Sequence, residues 1–279
     1  MATPLAPLRG LISQLPFTNL PLKVYPVTSA KTPSNSLRLY CYGPGFNDNV
    51  TSFDPTSLRW LSFLTFAGID FQVEYCNEPL MAPNNRLPFL MTPTNECIAD
   101  DAIYDYLVRT YGDQLPTVPT DTRPASAFAL LTLIDTHVKP AVQHYFWYDE
   151  ANYREQISVA YTGQHQWPIR WVEATALRKQ NQREVALQFT DTVSGEEIYE
   201  RALHTLRDLA SYLGEQDTYF FGAARPTLVD AALFAYLFPV LTSTMPNSTF
   251  KELVKNIPRL SNYIRALWDQ WFRKREEAA

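Results

Sequence analysis

One change of pattern constrains this chain more than any other feature: strand and helix signals alternate up to about residue 113, and only helical signals follow. Leu37-Arg38-Leu39-Tyr40-Cys41-Tyr42 is a β-type run, closed by the breaker Gly43-Pro44-Gly45. Asp54-Pro55 predicts a helix start, because Asp54 can accept from free amides as N-cap and Pro55 suits the first turn. That helix carries Leu58, Leu61, Leu64, Trp60, Phe63 and Phe66, and stops at Gly68. Phe71-Gln72-Val73-Glu74-Tyr75 alternates apolar and polar, as a strand does. A loop around Met81 to Arg86 leads to a strand in Leu87-Pro88-Phe89-Leu90 and a short strand or turn near Glu96-Cys97-Ile98. Asp100 is expected to cap the next helix, which holds Ile103, Tyr106 and Leu107.

Beyond a linker at 114–122, helices are expected at 125–148, 169–188, 196–213, 228–241 and 258–274. Spacing of three and four is clearest in Ile198, Ala202, Leu203, Leu206, Leu209 and Leu213. The order strand, helix, strand, loop, strand, strand, helix is that of a thioredoxin-like domain. An α/β N-terminal thioredoxin-like domain with an all-α C-terminal domain behind it resembles the glutathione transferases. The expected division is an N-terminal extension at 1–36, a thioredoxin-like domain at 37–113, the linker at 114–122 and a helical domain at 123–279. The extension is rich in proline and serine yet apolar at Leu11, Ile12, Leu15 and Phe17, so it is expected to cover its own domain or another subunit.

Composition narrows the function. Apolar residues make up 46% of the 279 residues and charged ones 19%, which supplies a core and excludes a disordered chain. A net charge of −5 makes the chain a poor candidate for wrapping nucleic acid, because neutralising phosphates needs a basic face. With nine glycines, neither GxGxxG nor GxxxxGK[ST] occurs, so phosphate-cradle chemistry is disfavoured. Cys41, Cys76 and Cys97 form neither a CxxC pair nor a zinc-like spacing, and read as packed thiols in a reducing compartment. The longest apolar run, from Ala231 to Leu241, falls short of the roughly 20 residues of a membrane span and contains Pro239. No secretory signal opens the chain, and Arg9, Lys23 and Lys31 are too few cations for a mitochondrial presequence. A soluble or peripheral protein is expected.

Two features strengthen the transferase-like expectation. Leu87-Pro88 stands at the entry to the third strand, where thioredoxin-like domains carry a cis-proline. Thr227-Leu228-Val229-Asp230 is a capping box with Asp as its acid, followed by an apolar helix. More particularly, the run from Asn77 through Glu78-Pro79-Leu80-Met81-Ala82-Pro83-Asn84-Asn85-Arg86-Leu87-Pro88 to Phe89-Leu90 resembles the stretch leading into the third strand of the metaxins. Tyr148-Asp149-Glu150-Ala151-Asn152 and Trp167-Pro168-Ile169 resemble the middle of the second metaxin. Tyr219-Phe220-Phe221-Gly222 leading into Pro226-Thr227-Leu228-Val229-Asp230-Ala231 is similar to the helical-domain signature of that family.

That resemblance implies a peripheral subunit on the cytosolic face of the mitochondrial outer membrane, in the sorting and assembly machinery. The implied partners are a membrane-embedded β-barrel assembly protein, a second metaxin-like subunit and β-barrel precursor proteins. The absence of a spanning segment at the C-terminus favours the second-metaxin type. A first-metaxin-like subunit is the alternative within the family, and an assembly module of the translation apparatus is a weaker one outside it.

The rival of another class is a working glutathione transferase. Such an enzyme needs a hydroxyl or thiol near the end of the first strand, where Cys41, Tyr42, Thr51 and Ser52 are the candidates. It also needs a Glu-Ser pair opening the helix after the fourth strand, where this chain has Ala99 and Asp100. A carboxylate there repels the ligand's own carboxylate. The expectation is no catalytic residue and no cofactor. His137, His144, His165 and His204 show no metal spacing, so no metal is expected either. For a binding protein, Trp147, Tyr148, Tyr161 and Trp167, with Leu11 and Phe17 in the extension, are the candidate partner anchors, the aromatics alternatively filling the seam between domains. Trp268, Trp271 and Phe272 beside Arg273-Lys274-Arg275 fit either a membrane surface or an ordinary last helix.

Overall fold

Strand β1 (Leu37–Cys41) is the axis of the sheet in this computed structural model, which describes residues 36–116, 124–189, 194–213 and 218–278. The candidate anchors Leu11 and Phe17, and most of the expected linker, lie outside the described residues. β1 pairs in parallel with β2 (Phe71–Tyr75) and antiparallel with β3 (Phe89–Met91), which pairs antiparallel with β4 (Cys97–Ala99). The order β2-β1-β3-β4 is the mixed sheet of a thioredoxin-like domain. The Leu87-Pro88 peptide bond ahead of β3 is cis.

Helix α1 (Pro55–Ala67) makes the crossover between the two parallel strands. Asp54 caps it, accepting from the Ser57 amide at 2.8 Å, and Gly68 ends it at φ 68°, a left-handed turn that a side chain would oppose. The helix is buried on nearly every side and packs closely along α8 (Leu228–Thr242). Every residue of α8 from Val229 to Val240 is buried, so its sequence, apolar nearly throughout apart from Asp230, marks a central core helix. The capping box at its start forms as expected. Asp230 accepts from the Thr227 amide (2.5 Å), the Thr227 hydroxyl (2.6 Å), the Phe220 amide (3.0 Å) and the Tyr263 hydroxyl. Four donors offset the cost of burying that carboxylate.

After β4 come α2 (Asp100–Tyr111), α3 (Pro124–Leu133) and α4 (Lys139–Trp147). The last two are one rod, with a widened π turn over Ile134–Val138 in place of the regular helix expected there. Pro140 explains the difference: it has no N–H to give, and its ring crowds the carbonyl four residues back, so the turn ahead of it opens. A helical segment missed from the sequence follows, with Asp149 as N-cap, a second π turn over Tyr153–Ile157 and α5 (Ser158–Thr162). Helices α6 (Ile169–Gln188) and α7 (Gly195–Tyr212) precede α8. The chain continues through α9 (Thr249–Lys255), also missed, α10 (Pro258–Trp271) and α11 (Arg273–Ala278).

The sheet and the helical layer share one continuous core. Phe66 of α1 packs against Trp271 (5.4 Å between centroids) and Phe272 (6.2 Å), while Phe272 stacks on Phe234 at 5.3 Å. The C-terminal aromatics therefore point inward: Phe272 is fully buried, and Trp268 stacks on Phe238. Arg59 reaches across the same seam to Asp135 and, at 3.1 Å, to the Tyr236 hydroxyl. Among the described residues, no helix is long and apolar enough to cross a membrane.

Candidate functional site

Where the C-terminal end of β1 meets the helical layer, a cleft of about 420 Å³ opens. Its floor holds Tyr42, Asp54 and Tyr161, and one wall is the β2–β3 loop with Leu80 and Arg86. The far wall is α6, through Glu173, Leu177, Asn181 and Glu184, and Asp100 opens α2 at one corner. This is the place where an enzyme of this architecture would hold its substrate.

Its chemistry does not suit that task. Cys41 is wholly buried, and burial pushes its thiol well above the ordinary value. The hydroxyl of Tyr42 is also raised, first by burial and then by the negative charge of Asp54, so it holds its proton. Thr51 donates to the Asp48 carboxylate at 2.6 Å, and the Ser52 hydroxyl bonds the Asp54 backbone at 3.1 Å. Each candidate nucleophile is thus protonated or engaged, and none is activated. Cys76 and Cys97 are likewise raised by burial. Among the cleft residues, Asp54, Asp100, Glu173 and Glu184 outnumber Arg86 and Lys139, which repels an anionic ligand.

Asp100 does not cap its helix, contrary to expectation. The N-cap is Ala99, which has no side-chain hydrogen bond, and Asp100 occupies the first helical turn. There its carboxylate accepts from the indole N–H of Trp60 on α1. A carboxylate at this corner remains, although it is held differently.

The expected partner anchors separate into two groups. Trp147 and Tyr161 are buried and touch each other at 4.9 Å, with Tyr161 also edge-on to Tyr42 (4.8 Å) and Phe53 (4.9 Å). Tyr148 is half-buried and donates to the Gln182 carbonyl at 2.9 Å. Tyr161 fills the seam between the two layers, while Trp147 and Tyr148 pack within the helical layer. Trp167 stands 82% exposed, and beside it Trp171 is 65% and Val172 58% exposed. Sequence reasoning missed Trp171 and Val172; the available signal was that α6 has no clean apolar stripe, and only Ala174 and Val185 of its 20 residues are buried. Trp167, Trp171, Tyr153, Arg154, Arg170 and Arg178 line a groove of about 780 Å³. The histidines also separate: His137 bonds Thr205 at 2.7 Å, His144 bonds Tyr199 at 3.1 Å, His204 pairs with Asp208 on the surface, and His165 lies against Glu78 and Glu173.

Residues 57–178 match the family described as outer mitochondrial membrane transport complex protein, and residues 202–267 match the glutathione S-transferase C-terminal domain. Metaxin-1 of Macaca fascicularis is 25% identical over 260 residues, covering 85% of this chain and 75% of that protein. Metaxin-2 of Homo sapiens is 25% identical over 231 residues, covering 81% of this chain and 85% of that protein. The chain is similar to metaxins of both types over most of its length. That likeness supports a subunit of a mitochondrial outer-membrane transport complex. Solved structures agree on the fold. Glutathione transferase GSTFuA3 from Phanerochaete chrysosporium superposes with a TM-score of 0.57 at 17% identity, over 83% of this chain and 96% of that one. Beta-etherase LigF from Sphingobium sp. strain SYK-6 gives 0.53 at 16%, over 84% and 99%.

Proposed function

We propose that the chain is a non-enzymatic, peripheral subunit of the sorting and assembly machinery, working on the cytosolic side of the mitochondrial outer membrane. In this reading it contacts a membrane-embedded β-barrel protein and a second metaxin-like subunit, and assists the recognition, folding and insertion of β-barrel precursors. The observation that carries it is the cleft: a transferase fold whose candidate nucleophiles are protonated or engaged and whose lining is acidic. Fold alone does not carry activity, and here the residues that would supply it are committed to structure.

The exposed face of α6 supports action by contact. Trp167, Trp171 and Val172 form an apolar patch with arginines beside it, the composition of an interface core with a polar rim. Unpaired strand edges of barrel precursors need such a covering surface until they pair. The second-metaxin type is preferred for the likeness of Tyr148-Asp149-Glu150-Ala151-Asn152 and Trp167-Pro168-Ile169, while relatives of both types match at the same identity.

Affinity purification from detergent-solubilised mitochondria tests this function. An outer-membrane β-barrel protein is expected in near-stoichiometric amount with the tagged chain. Its recovery in trace amounts only, under conditions that keep other outer-membrane complexes intact, would overturn the proposal.

A further inference from the structure

At the edge of the cleft, three potential metal ligands from distant parts of the sequence converge. Glu78 lies just after β2 and is buried, His165 sits in the turn before α6, and Glu173 is on α6 itself. The imidazole Nε2 of His165 is 3.2 Å from Glu173 Oε2 and 3.8 Å from Glu78 Oε2, and all three ligand atoms lie within 4.8 Å of one another. The backbone that carries them is fixed. Gln164, next to His165, donates to the carbonyl of Asn77, next to Glu78, at 2.7 Å, so the two neighbours clamp the turn to the loop.

An ion pair alone accounts poorly for this cluster. One imidazolium leaves two carboxylates with a net negative charge, and its Nε2–H can serve only one of them. His165 Nε2 and Glu173 Oε2 are both closed off from solvent, yet neither has a hydrogen bond of acceptable geometry. Two buried polar atoms that face each other without bonding are costly unless a third body joins them. A divalent cation does so: tetrahedral zinc with bonds of about 2.0–2.2 Å places its ligand atoms about 3.4 Å apart, between the 3.2 and 3.8 Å that separate His165 Nε2 from the two carboxylates. One imidazole and two carboxylates are a donor set that zinc accepts, with the fourth position left to water or a partner's side chain.

We propose that Glu78, His165 and Glu173 form a structural zinc site that pins the β2–β3 loop of the sheet layer to the start of α6. It lies outside the transferase chemistry considered above and does not depend on the membrane-complex reading. The site would hold the two walls of the cleft in one orientation and, through its fourth position, make the adjoining Trp167–Trp171 face sensitive to metal.

The test is zinc alone, added to the full chain after chelator stripping and dialysis, with metal counted by plasma mass spectrometry. The expected result is about one zinc per chain, an oxygen and nitrogen shell by X-ray absorption and a raised melting temperature. His165→Ala and Glu173→Gln, checked for native circular dichroism, are expected to weaken binding at least about tenfold, while His204→Ala leaves it unchanged. Negligible uptake by the wild-type chain, a sulfur ligand in the absorption spectrum, or uptake insensitive to both substitutions would overturn the assignment. The absorption spectrum needs only the wild-type chain and so decides the matter even where a variant fails to fold.

Discussion

The phenol of Tyr161 donates to Oδ1 of Asp54 at 2.8 Å, while Oδ2 of the same carboxylate accepts from the Ser57 amide at 2.8 Å. One aspartate therefore starts the first helix of the sheet layer and receives the helical layer. Burial pushes the Tyr161 hydroxyl well up, so it stays a donor, and the aromatic rings of Tyr42, Phe53 and Trp147 close around it. This polar contact of the cleft is thus a joint of the fold.

Removing the joint tests this. Tyr161→Phe deletes one hydrogen bond to a carboxylate and is expected to cost about 1–2 kcal/mol. Asp54→Ala also removes the cap of α1, so its cost should exceed that of Tyr161→Phe by roughly 1 kcal/mol. Urea unfolding of the three proteins measures both; equal midpoints would show that the contact carries no stability.

The C-terminal aromatics give a larger effect. Phe272 is fully buried between Phe66 and Phe234, so Phe272→Ala is expected to destabilise by about 3–5 kcal/mol. A membrane-anchoring role for this ring predicts instead an unchanged unfolding midpoint in water and a loss of vesicle binding. Denaturant titration and vesicle flotation of wild type and variant separate the two outcomes.

Acid should loosen the helical layer through His144. Burial holds its imidazole below the ordinary value of 6.5, so the folded state binds this proton less readily than the unfolded state. The stability this group contributes is present above about pH 6.5 and is lost as pH falls through the depressed folded value. On going from about pH 7.5 to about pH 5.5, the unfolding midpoint of wild type should fall more than that of His144→Gln, which has no proton to take up. Parallel pH curves would contradict the assignment.

The exposed face of α6 should matter for partners and not for folding. Trp171→Glu alters a ring that is 65% exposed, so stability is expected to stay within about 0.5 kcal/mol of wild type. Recovery of the outer-membrane barrel protein with the tagged variant should drop severalfold. Undiminished recovery would remove this face from the interface.

How much of this was legible depended on how local each cause was. Asp54, Pro55 and Gly68 bound α1 through contacts within a few residues, and Thr227 with Asp230 starts α8 in the same way, so both helices stand in the sequence as written. The wide turns at Ile134–Val138 and Tyr153–Ile157 break the 3.6-residue period, which explains why the segment leading to α5 was missed. Asp100 reads as a cap in the sequence because a nearby amide is the only partner a sequence offers; the Trp60 indole that bonds it comes from another helix. Glu78, His165 and Glu173 lack ligand spacing along the chain and converge only when the β2–β3 loop meets α6. Trp147, Tyr161 and Trp167 are alike as candidate aromatics, and only tertiary packing separates the two buried ones from the exposed one.

The central claim is that a transferase fold has here lost transferase chemistry and acts by contact. Calorimetric titration of the purified full chain with reduced glutathione tests it most directly. No saturable binding is predicted at millimolar concentrations, because the cleft offers carboxylates and protonated hydroxyls in place of an activated donor. Saturable binding with a dissociation constant at or below about 1 mM, about −4 kcal/mol, with conjugation of a standard electrophile, would contradict the account.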